Sequence, residues 1–482
     1  MLFPTFSFLV FFLAVFTGFW YVFRTVNTRR MFLLAANFVF YAFWDWRFCF
    51  LLLFSSAVNY GFGRRIGSSR EHLPRKVWLV LSVVFNLLLL GFFKYYNFFA
   101  GQVNALIQWI SGSAGDGAAP FFLPVLAVVM PVGISFYTFK AMSYVFDVYL
   151  CKIPASKNFA DVLLYVSFFP QIASGPITHA VDFLPALPGV LSAGTEGGSR
   201  AVPFARASSY IVSGLLKKLV FSNFLMTLTV SPVFQDLSAV HSLDALFAAL
   251  AYTVVIYCDF SGYSDMAIGV ALLLGFRTPE NFRRPYASFS VTEFWKRWHI
   301  SFSSWLRNYL YFSMGGSRFG LSRTLAALFF TMVLGGLWHG ASWTFLLWGV
   351  MQGTALAAER LFRLGEKKRA GLFPRALQFT ATFLFTVVSW VVFRAASLSE
   401  IGAWFAALVR FSPSVSYVTP LTVILVAAGI LMHFIPSRVR DTLFRVWKFS
   451  PWFVQAALLA VFAAGLQVTG MSSVAPFIYF QF

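Results

Sequence analysis

The chain has 482 residues, of which 59% are hydrophobic and only 11% are charged. Soluble domains usually carry about 25% charged residues, so this composition excludes an ordinary soluble protein. Apolar stretches close to the roughly 20 residues that span a bilayer recur from end to end. The composition therefore predicts an all-α, multi-pass integral membrane protein, with residues 1–482 forming one membrane-embedded domain.

The formal net charge of +20 comes from 37 basic and 17 acidic residues. The basic residues cluster in short connections between apolar segments, which is the bias of cytoplasmic loops in membrane proteins. These clusters are Arg24, Arg29 and Arg30; Arg64, Arg65, Arg70, Arg75 and Lys76; Arg360, Arg363, Lys367, Lys368 and Arg369; and Arg438, Arg440, Arg445 and Lys448. The lipid bilayer, and not nucleic acid, is the expected partner. A role for some of these cations in binding anionic lipid or a phosphorylated cofactor stays open.

The first apolar segment, residues 3–23, precedes its basic residues, which predicts a retained anchor with the N-terminus outside. The next segment, residues 31–60, is interrupted at residues 44–47, and we expect a tight hairpin of two short helices. A span over residues 77–99 then leads to residues 100–120, which lack Lys and Arg and are expected outside.

Further spans are predicted near residues 121–139, 211–230, 245–274, 377–393, 421–434 and 452–466. Residues 159–175 contain Asp161 and Pro170 in an apolar stretch, which favours a broken or re-entrant helix. The three cysteines form no CxxC pair and the six histidines are scattered, so no metal site is expected.

His339 lies in an apolar run from about Thr324 to Ala358. Ionisable residues inside membrane segments are costly, so the default interpretation of such a histidine is functional. The small residues Gly335, Gly336 and Gly340 beside it would let a thin substrate group come close.

A second histidine follows Ser290 and Glu293, which have the spacing of a helix-capping box. We expect an amphipathic helix at the membrane interface, ending near Gly315 and Gly316. Its aromatic face would hold Trp295, Trp298, His299, Phe302 and Trp305. His299 is either a hydrogen-bonded histidine of this face or a second functional group that shares a tunnel with His339.

Polar residues also interrupt the apolar segment around residues 257–265. Asp259, Ser261 and Asp265 stand there, and buried carboxylates need hydrogen bonds or positive charges. Two interpretations remain open: the carboxylates tie helices together or pair with arginines, or they take part in proton transfer.

Six segments carry a resemblance to a known family: ISFYTFKAMSY (134–144), FFPQIASGP (168–176), DFSGYSDMAIG (259–269), ENFRRPYASFSVTEFWKRWHIS (280–301), GGLWHGA (335–341) and APFIYFQF (475–482). With them the chain resembles the membrane-bound O-acyltransferases, and within these the membrane subunit of bacterial alginate and other exopolysaccharide O-acetylation systems. The resemblance implies roughly a dozen membrane helices, with re-entrant and interfacial helices, around a central tunnel. It also implies that His339 is the catalytic histidine and His299 the second active-site histidine.

The resemblance further implies that acetyl comes from cytosolic acetyl-CoA, a substrate, with no permanently bound cofactor. The acetyl group would pass to an extracytoplasmic serine esterase-like transferase within a polymer synthesis or secretion complex at the bacterial inner membrane. Imidazole has a reference pKa of about 6.5, which suits His339 as general base. His299 would orient the acceptor or donate a hydrogen bond to the oxyanion. Donor or acceptor binding is expected from Arg283, Arg284, Lys296, Arg297, Trp298 and Trp338; the four cations serve equally well as interfacial anchors.

Other functions compete with this hypothesis. Peptidoglycan O-acetylation and D-alanyl transfer would use the same fold on another acceptor. A proton-coupled transporter or flippase would relay protons through Asp259, Asp265 and the histidines. A passive scaffold of a polymer synthase complex would tolerate loss of both histidines.

Overall fold

The computed structural model describes residues 3–111, 122–193, 202–362 and 372–451, together with 453–455, 457–458 and 478. Within these residues all the regular secondary structure is helical. The first helices are α1 (Phe6–Thr17), α2 (Val26–Asp45), α3 (Arg47–Ser68), α4 (His72–Leu90), α5 (Tyr96–Ser111), α6 (Ile134–Tyr149), α7 (Phe159–Ser167), α8 (Phe169–Ile172), α9 (Ala180–Phe183), α10 (Leu187–Leu191) and α11 (Phe204–Leu216).

The second half of the chain continues in the same way. Its helices are α12 (Asn223–Leu225), α13 (Ser231–Gln235), α14 (Ser242–Leu273), α15 (Val291–Trp295), α16 (Ile300–Trp305), α17 (Leu321–His339), α18 (Trp343–Phe362), α19 (Leu372–Arg394), α20 (Leu398–Val409), α21 (Pro420–Leu431) and α22 (Ser437–Phe449). Five π-helical segments interrupt or extend helices, at Gly18–Val22, Gly91–Tyr95, Lys217–Ser222, Met226–Val230 and Leu306–Tyr311.

Five helical stretches among the described residues are long and apolar enough to cross a membrane. They are His72–Ser111, Phe204–Gln235, Ser242–Leu273, Leu321–His339 and Pro374–Arg394. A sixth span results if Pro420–Phe434 and Ser437–Phe449 are counted together, although they meet at a bend of 102°. The protein is a multi-pass, all-helical membrane protein, but the expected dozen spans are not confirmed. Many of the remaining helices are too short or too polar to cross.

Several predicted elements are confirmed. The hairpin around residues 44–47 forms, with its break at Trp46 between α2 and α3, although these helices have 20 and 22 residues and are not short. Residues 159–175 form a broken helix, since α7 ends before Phe168 and α8 begins after it. The helix α14 covers the span predicted at 245–274 and packs in the centre of the protein, with most of its residues buried.

Other predicted elements are wrong. Residues 122–133 contain no helix, and α6 after them is buried within the protein instead of spanning from residue 121. The apolar run of residues 324–358 is two helices, α17 and α18, that turn at Gly340 because this residue takes an extended conformation. The basic cluster of residues 438–448 is the helix α22 and not a loop.

Some predictions fall partly or wholly outside the described residues. These are the external stretch beyond residue 111, the basic cluster beyond residue 362, most of the span at 452–466 and most of the terminal segment 475–482.

Candidate active site

The predicted interfacial helix after Ser290 is broken at His299. The cap itself is confirmed, because the Ser290 side chain accepts a hydrogen bond from the Glu293 backbone N–H at 3.0 Å. The helix α15 then ends at Trp295, and α16 starts only at Ile300. His299 between them has φ 42° and ψ 54°, a left-handed conformation that is uncommon for residues other than glycine. The prediction of a continuous helix at the surface is therefore wrong.

The aromatic residues expected on that helix are buried. Trp295, Trp298, His299, Phe302 and Trp305 are all 7% exposed or less. The break turns them into the protein interior, where rings from α14, α17 and α19 pack against them. Gly315 and Gly316 do end this region, both with positive φ.

Asn281 fixes the backbone break and the imidazole at the same time. Its backbone carbonyl accepts from the Ile300 N–H at 2.9 Å, and its side-chain oxygen accepts from Ser301 Oγ at 2.8 Å. The same oxygen lies 3.1 Å from His299 Nδ1. Since an amide oxygen can only accept, Nδ1 carries the hydrogen and Nε2 keeps a lone pair.

His299 Nε2 is buried and has no hydrogen-bond partner among the described residues. The ring is fully buried and lies against Phe260 and Phe302, at centroid distances of 4.5 and 4.9 Å. The Nε2 lone pair is surrounded by aromatic rings and can accept a hydrogen bond from a hydroxyl that enters the protein. Burying this nitrogen without a partner has a desolvation cost, and a purely structural role of His299 does not explain that cost.

His339 is the last residue of α17 and is 4% exposed. Its imidazole packs among the rings of Trp338, Phe345, Trp348 and Phe393, with centroid distances between 5.0 and 6.4 Å. The two helices of this hairpin approach closely, because a Cβ on Gly336 would lie 2.4 Å from the Phe345 carbonyl oxygen.

The glycines near His339 serve this packing. A Cβ on Gly340 would lie 2.1 Å from the Phe345 ring, and one on Gly335 would contact Leu306 at 3.2 Å. The space beside these residues is occupied by protein, so the expectation that they admit a thin substrate group is wrong.

The structure brings the two histidines together across a single ring. Phe302 lies 4.9 Å from the His299 imidazole and 5.5 Å from the His339 imidazole, between ring centroids. Trp338 contacts both as well, at 6.3 and 5.0 Å. The two Trp-His pairs therefore lie in one aromatic cluster.

A cavity of about 130 Å³ opens onto His339. Its walls come from the α2–α3 turn, the extended segment before α6, and the end of α17. The lining residues are Trp44, Lys94, Met130, Pro131, Val132, Gly133, Ile134, Ser135, Phe136, Ala173, Trp338 and His339. The ionisable groups among them are Lys94 and His339, so this cavity brings a cation to the histidine.

A second cavity of about 490 Å³ borders the aromatic cluster at Trp295. It is lined by Thr292, Trp295, Lys296, Ile300, Ser303, Ser304, Leu306, Arg307, Tyr311, Leu328, Thr331, Met332 and Leu356. Since an α-helix rises 1.5 Å per residue, its wall at Met332 is about 10 Å from His339 along α17. Neither histidine lines this larger cavity, whose cations are Lys296 and Arg307.

The four cations that were expected to bind the donor or the acceptor have different surroundings. Arg283 pairs with Glu280 at 2.7 Å and Arg297 pairs with Glu293 at 2.5 Å. Arg284 donates to the Ile435 carbonyl at 3.5 Å. Lys296 lines the larger cavity, together with Arg307, which the sequence analysis did not select.

The carboxylates of α14 pair with lysines. Asp259 is fully buried and forms an ion pair with Lys218, and its second oxygen accepts from the Ile478 N–H at 2.9 Å. Asp265 pairs with Lys217 at 2.7 Å. Ser261 is buried on the same helix. The carboxylates tie α14 to the chain after α11, which is the structural interpretation, and they are not bonded to either histidine.

Lys94, Asn281 and Phe302 are site residues to which the sequence analysis gave no role. Lys94 is a single cation in the apolar segment of residues 77–99, and that isolation is itself a signal of function. Asn281 and Phe302 carry no such signal, because only the break at His299 reveals what they contact.

The fold is that of a multi-pass, helical membrane protein with a buried pair of histidines. The family model of the membrane-bound O-acyltransferases matches residues 152–399, which include both histidines. The chain is 40% identical over 418 residues to the probable alginate O-acetylase of Azotobacter vinelandii, covering 85% of this chain and 78% of that protein. It is 36% identical over the full length of the probable alginate O-acetylase of Pseudomonas putida.

A third relative has a different printed activity. The peptidoglycan O-acetyltransferase of Helicobacter pylori is 32% identical over 405 residues, covering 77% of this chain and 72% of that protein. Together with the family match, these relatives establish the class and the family. The protein is an acyltransferase and belongs to the membrane-bound O-acyltransferase family.

Proposed function

We propose that the protein takes acetyl from cytosolic acetyl-CoA and passes it across the inner membrane for O-acetylation of an exopolysaccharide such as alginate. The alginate O-acetylases named above support the acetyl group and the polymer class. The observation that carries the mechanism is the position of His339, which borders a cavity and lies in one aromatic cluster with His299.

In the proposed reaction His339 is the general base. It removes the proton of an acceptor hydroxyl, the hydroxyl oxygen bonds to the thioester carbon, and the tetrahedral intermediate collapses with release of the CoA thiolate. The imidazolium returns its proton to that thiolate, so charge and protons balance. The acceptor oxygen then carries the acetyl group to an extracytoplasmic serine esterase-like partner.

We assign His299 to orientation of the acceptor. Its Nδ1 donates to Asn281, so Nε2 can accept a hydrogen bond from a hydroxyl but cannot donate one while the ring is neutral. This favours the first of its two expected roles over donation to the oxyanion.

The larger cavity is the proposed site for the phosphates of acetyl-CoA. Lys296 and Arg307 line it, and their cationic N–H groups are donors suited to phosphate oxygens. Arg283 and Arg297, engaged by glutamates, are assigned to holding the loop before α15.

Replacing both cavity cations tests this donor site. The double variant Lys296→Met and Arg307→Met is expected to raise KM for acetyl-CoA about 10- to 100-fold, since each charge-assisted hydrogen bond contributes about 1.5–3 kcal/mol in favourable cases and exposure reduces this. Turnover at saturating donor should change little. The matched control is Arg283→Met, whose side chain pairs with Glu280 outside the cavity. An unchanged KM in the double variant would contradict this assignment.

Transfer of radiolabel from acetyl-CoA tests the function itself. Purified protein in lipid nanodiscs, with the partner transferase and polymer added on the opposite face, should move the acetyl label to the polymer. Label on muropeptides, and not on an exopolysaccharide, would favour the peptidoglycan activity that the Helicobacter relative suggests. Absence of any transfer would contradict the proposed activity, whereas movement of an intact solute would favour a transporter.

A further inference from the structure

Lys94 lies at the end of α17 although it belongs to a distant part of the chain. Its Nζ donates to the backbone carbonyls of Trp338 and His339, both at 2.7 Å. The next residue, Tyr95, donates from its hydroxyl to the Leu337 carbonyl at 2.5 Å. Three consecutive carbonyls thus receive donors from two consecutive side chains.

These carbonyls need such partners. The last carbonyls of an α-helix have no intrahelical donor, and the helix dipole makes that end negative. Gly340 continues α17 in an extended conformation, so the backbone does not supply a capping turn. Lys94 and Tyr95 therefore fix the turn of helix that carries His339.

Both residues lie in the π-helical segment Gly91–Tyr95. In a regular α-helix consecutive side chains diverge by about 100°, because there are 3.6 residues per turn. The wider π turn changes this register between α4 and α5. Single π turns of this kind occur frequently at functional sites.

Lys94 also borders the cavity that opens onto His339. In its ammonium form Lys94 has three N–H donors, and two of them are used on α17. The third is left for whatever occupies the cavity. A cation beside the reacting thioester would stabilise the negative charge that develops on the carbonyl oxygen.

We propose that Lys94 positions His339 by capping α17 and presents its remaining N–H to the acyl oxygen in the adjoining cavity. This role rests on the proposed acyl transfer at His339. Tyr95 shares the first task only, because its hydroxyl donates to α17 and the residue does not line the cavity.

Kinetics of Lys94→Met in nanodiscs test the proposal. The expected result is a fall in kcat of about 100-fold or more, the scale found for removal of one oxyanion donor, with KM for acetyl-CoA within about threefold. Lys94→Arg keeps the charge and the donors and should recover part of kcat. Tyr95→Phe, which removes a cap but no charge, should lose far less.

Lys140→Met is the matched control. This lysine lies buried on α6, where it donates to Gln171 at 2.9 Å, and it does not line the cavity. The kcat per folded molecule should stay near wild type in this variant. An equal fall of kcat in both variants, or wild-type kcat in folded Lys94→Met, would overturn the proposal.

Hydrogen exchange distinguishes failure of this proposal from failure of the proposed function. Amides of residues 336–342 should exchange faster in Lys94→Met than in wild type or Lys140→Met, whether or not acetyl-CoA is the donor. Unchanged exchange would overturn the positioning role. Inactive wild-type protein with faster exchange in Lys94→Met would contradict the donor assignment and leave the role of Lys94 in holding α17 supported.

Discussion

Replacing His339 by alanine is expected to abolish acetyl transfer while the protein still inserts and folds. Loss of a general base typically lowers a rate by about 10² to 10⁴. Membrane insertion should be unaffected, because removal of one imidazole makes the end of α17 less polar. Transfer of radiolabelled acetyl to the polymer, normalised to the amount of folded protein, measures the effect.

The variant His339→Gln sharpens this test. Glutamine keeps much of the volume within the ring cluster of Trp338, Trp348 and Phe393, and it can form hydrogen bonds. It cannot accept the proton usefully, so it should be nearly as inactive as alanine. Near wild-type activity of His339→Gln would make His339 a structural residue and turn the search for the base to His299.

The sequence singled out His339 because polarity inside an apolar segment is costly and therefore conspicuous, and the family resemblance singled out His299. It also predicted the cap at Ser290 and breaks within residues 44–47 and 159–175, since local side-chain chemistry decides such features. Periodicity made the region after Ser290 look like one amphipathic helix. Only the tertiary contacts of Asn281 hold His299 in a left-handed conformation, and no local pattern encodes them.

The turn at Gly340 escaped prediction for a related reason. Residues 324–358 are apolar throughout, so hydropathy does not distinguish one long span from two packed helices. The close approach of α17 and α18 at Gly336 and Gly349 distinguishes two packed helices from one long span, because a side chain at either position would overlap the opposite backbone. Lys94 illustrates the same limit, since its charge is visible in the sequence but its contact with α17, 244 residues away, is not.

Apolar composition serves two purposes in this chain, so hydropathy alone does not give the number of membrane spans. α6 is as apolar as many membrane helices, yet nearly all its side chains are buried in the protein. Short helices such as α7 and α8 likewise fill the interior. Hydropathy reports removal from water and does not say whether lipid or protein replaces it.

The second large effect is expected at the buried ion pair of Lys218 and Asp259. Their side chains are 6% and 1% exposed, and the aspartate also holds the backbone of Ile478. The variant Lys218→Met leaves a carboxylate buried without its cation, which typically costs about 3–5 kcal/mol of folding free energy. Thermal unfolding in detergent or nanodiscs measures this loss.

The double variant Lys218→Met and Asp259→Asn is to be compared with the single variant Lys218→Met. Removing both charges should restore part of the lost stability, because no unpaired charge remains. Lys217→Met is the matched control: its pair with Asp265 is 18% and 17% exposed, so water can solvate the remaining carboxylate and the loss should be smaller.

If the double variant folds and still transfers acetyl, Asp259 is structural and the proton-relay alternative fails. A folded double variant without any transfer would instead make this carboxylate part of the chemistry.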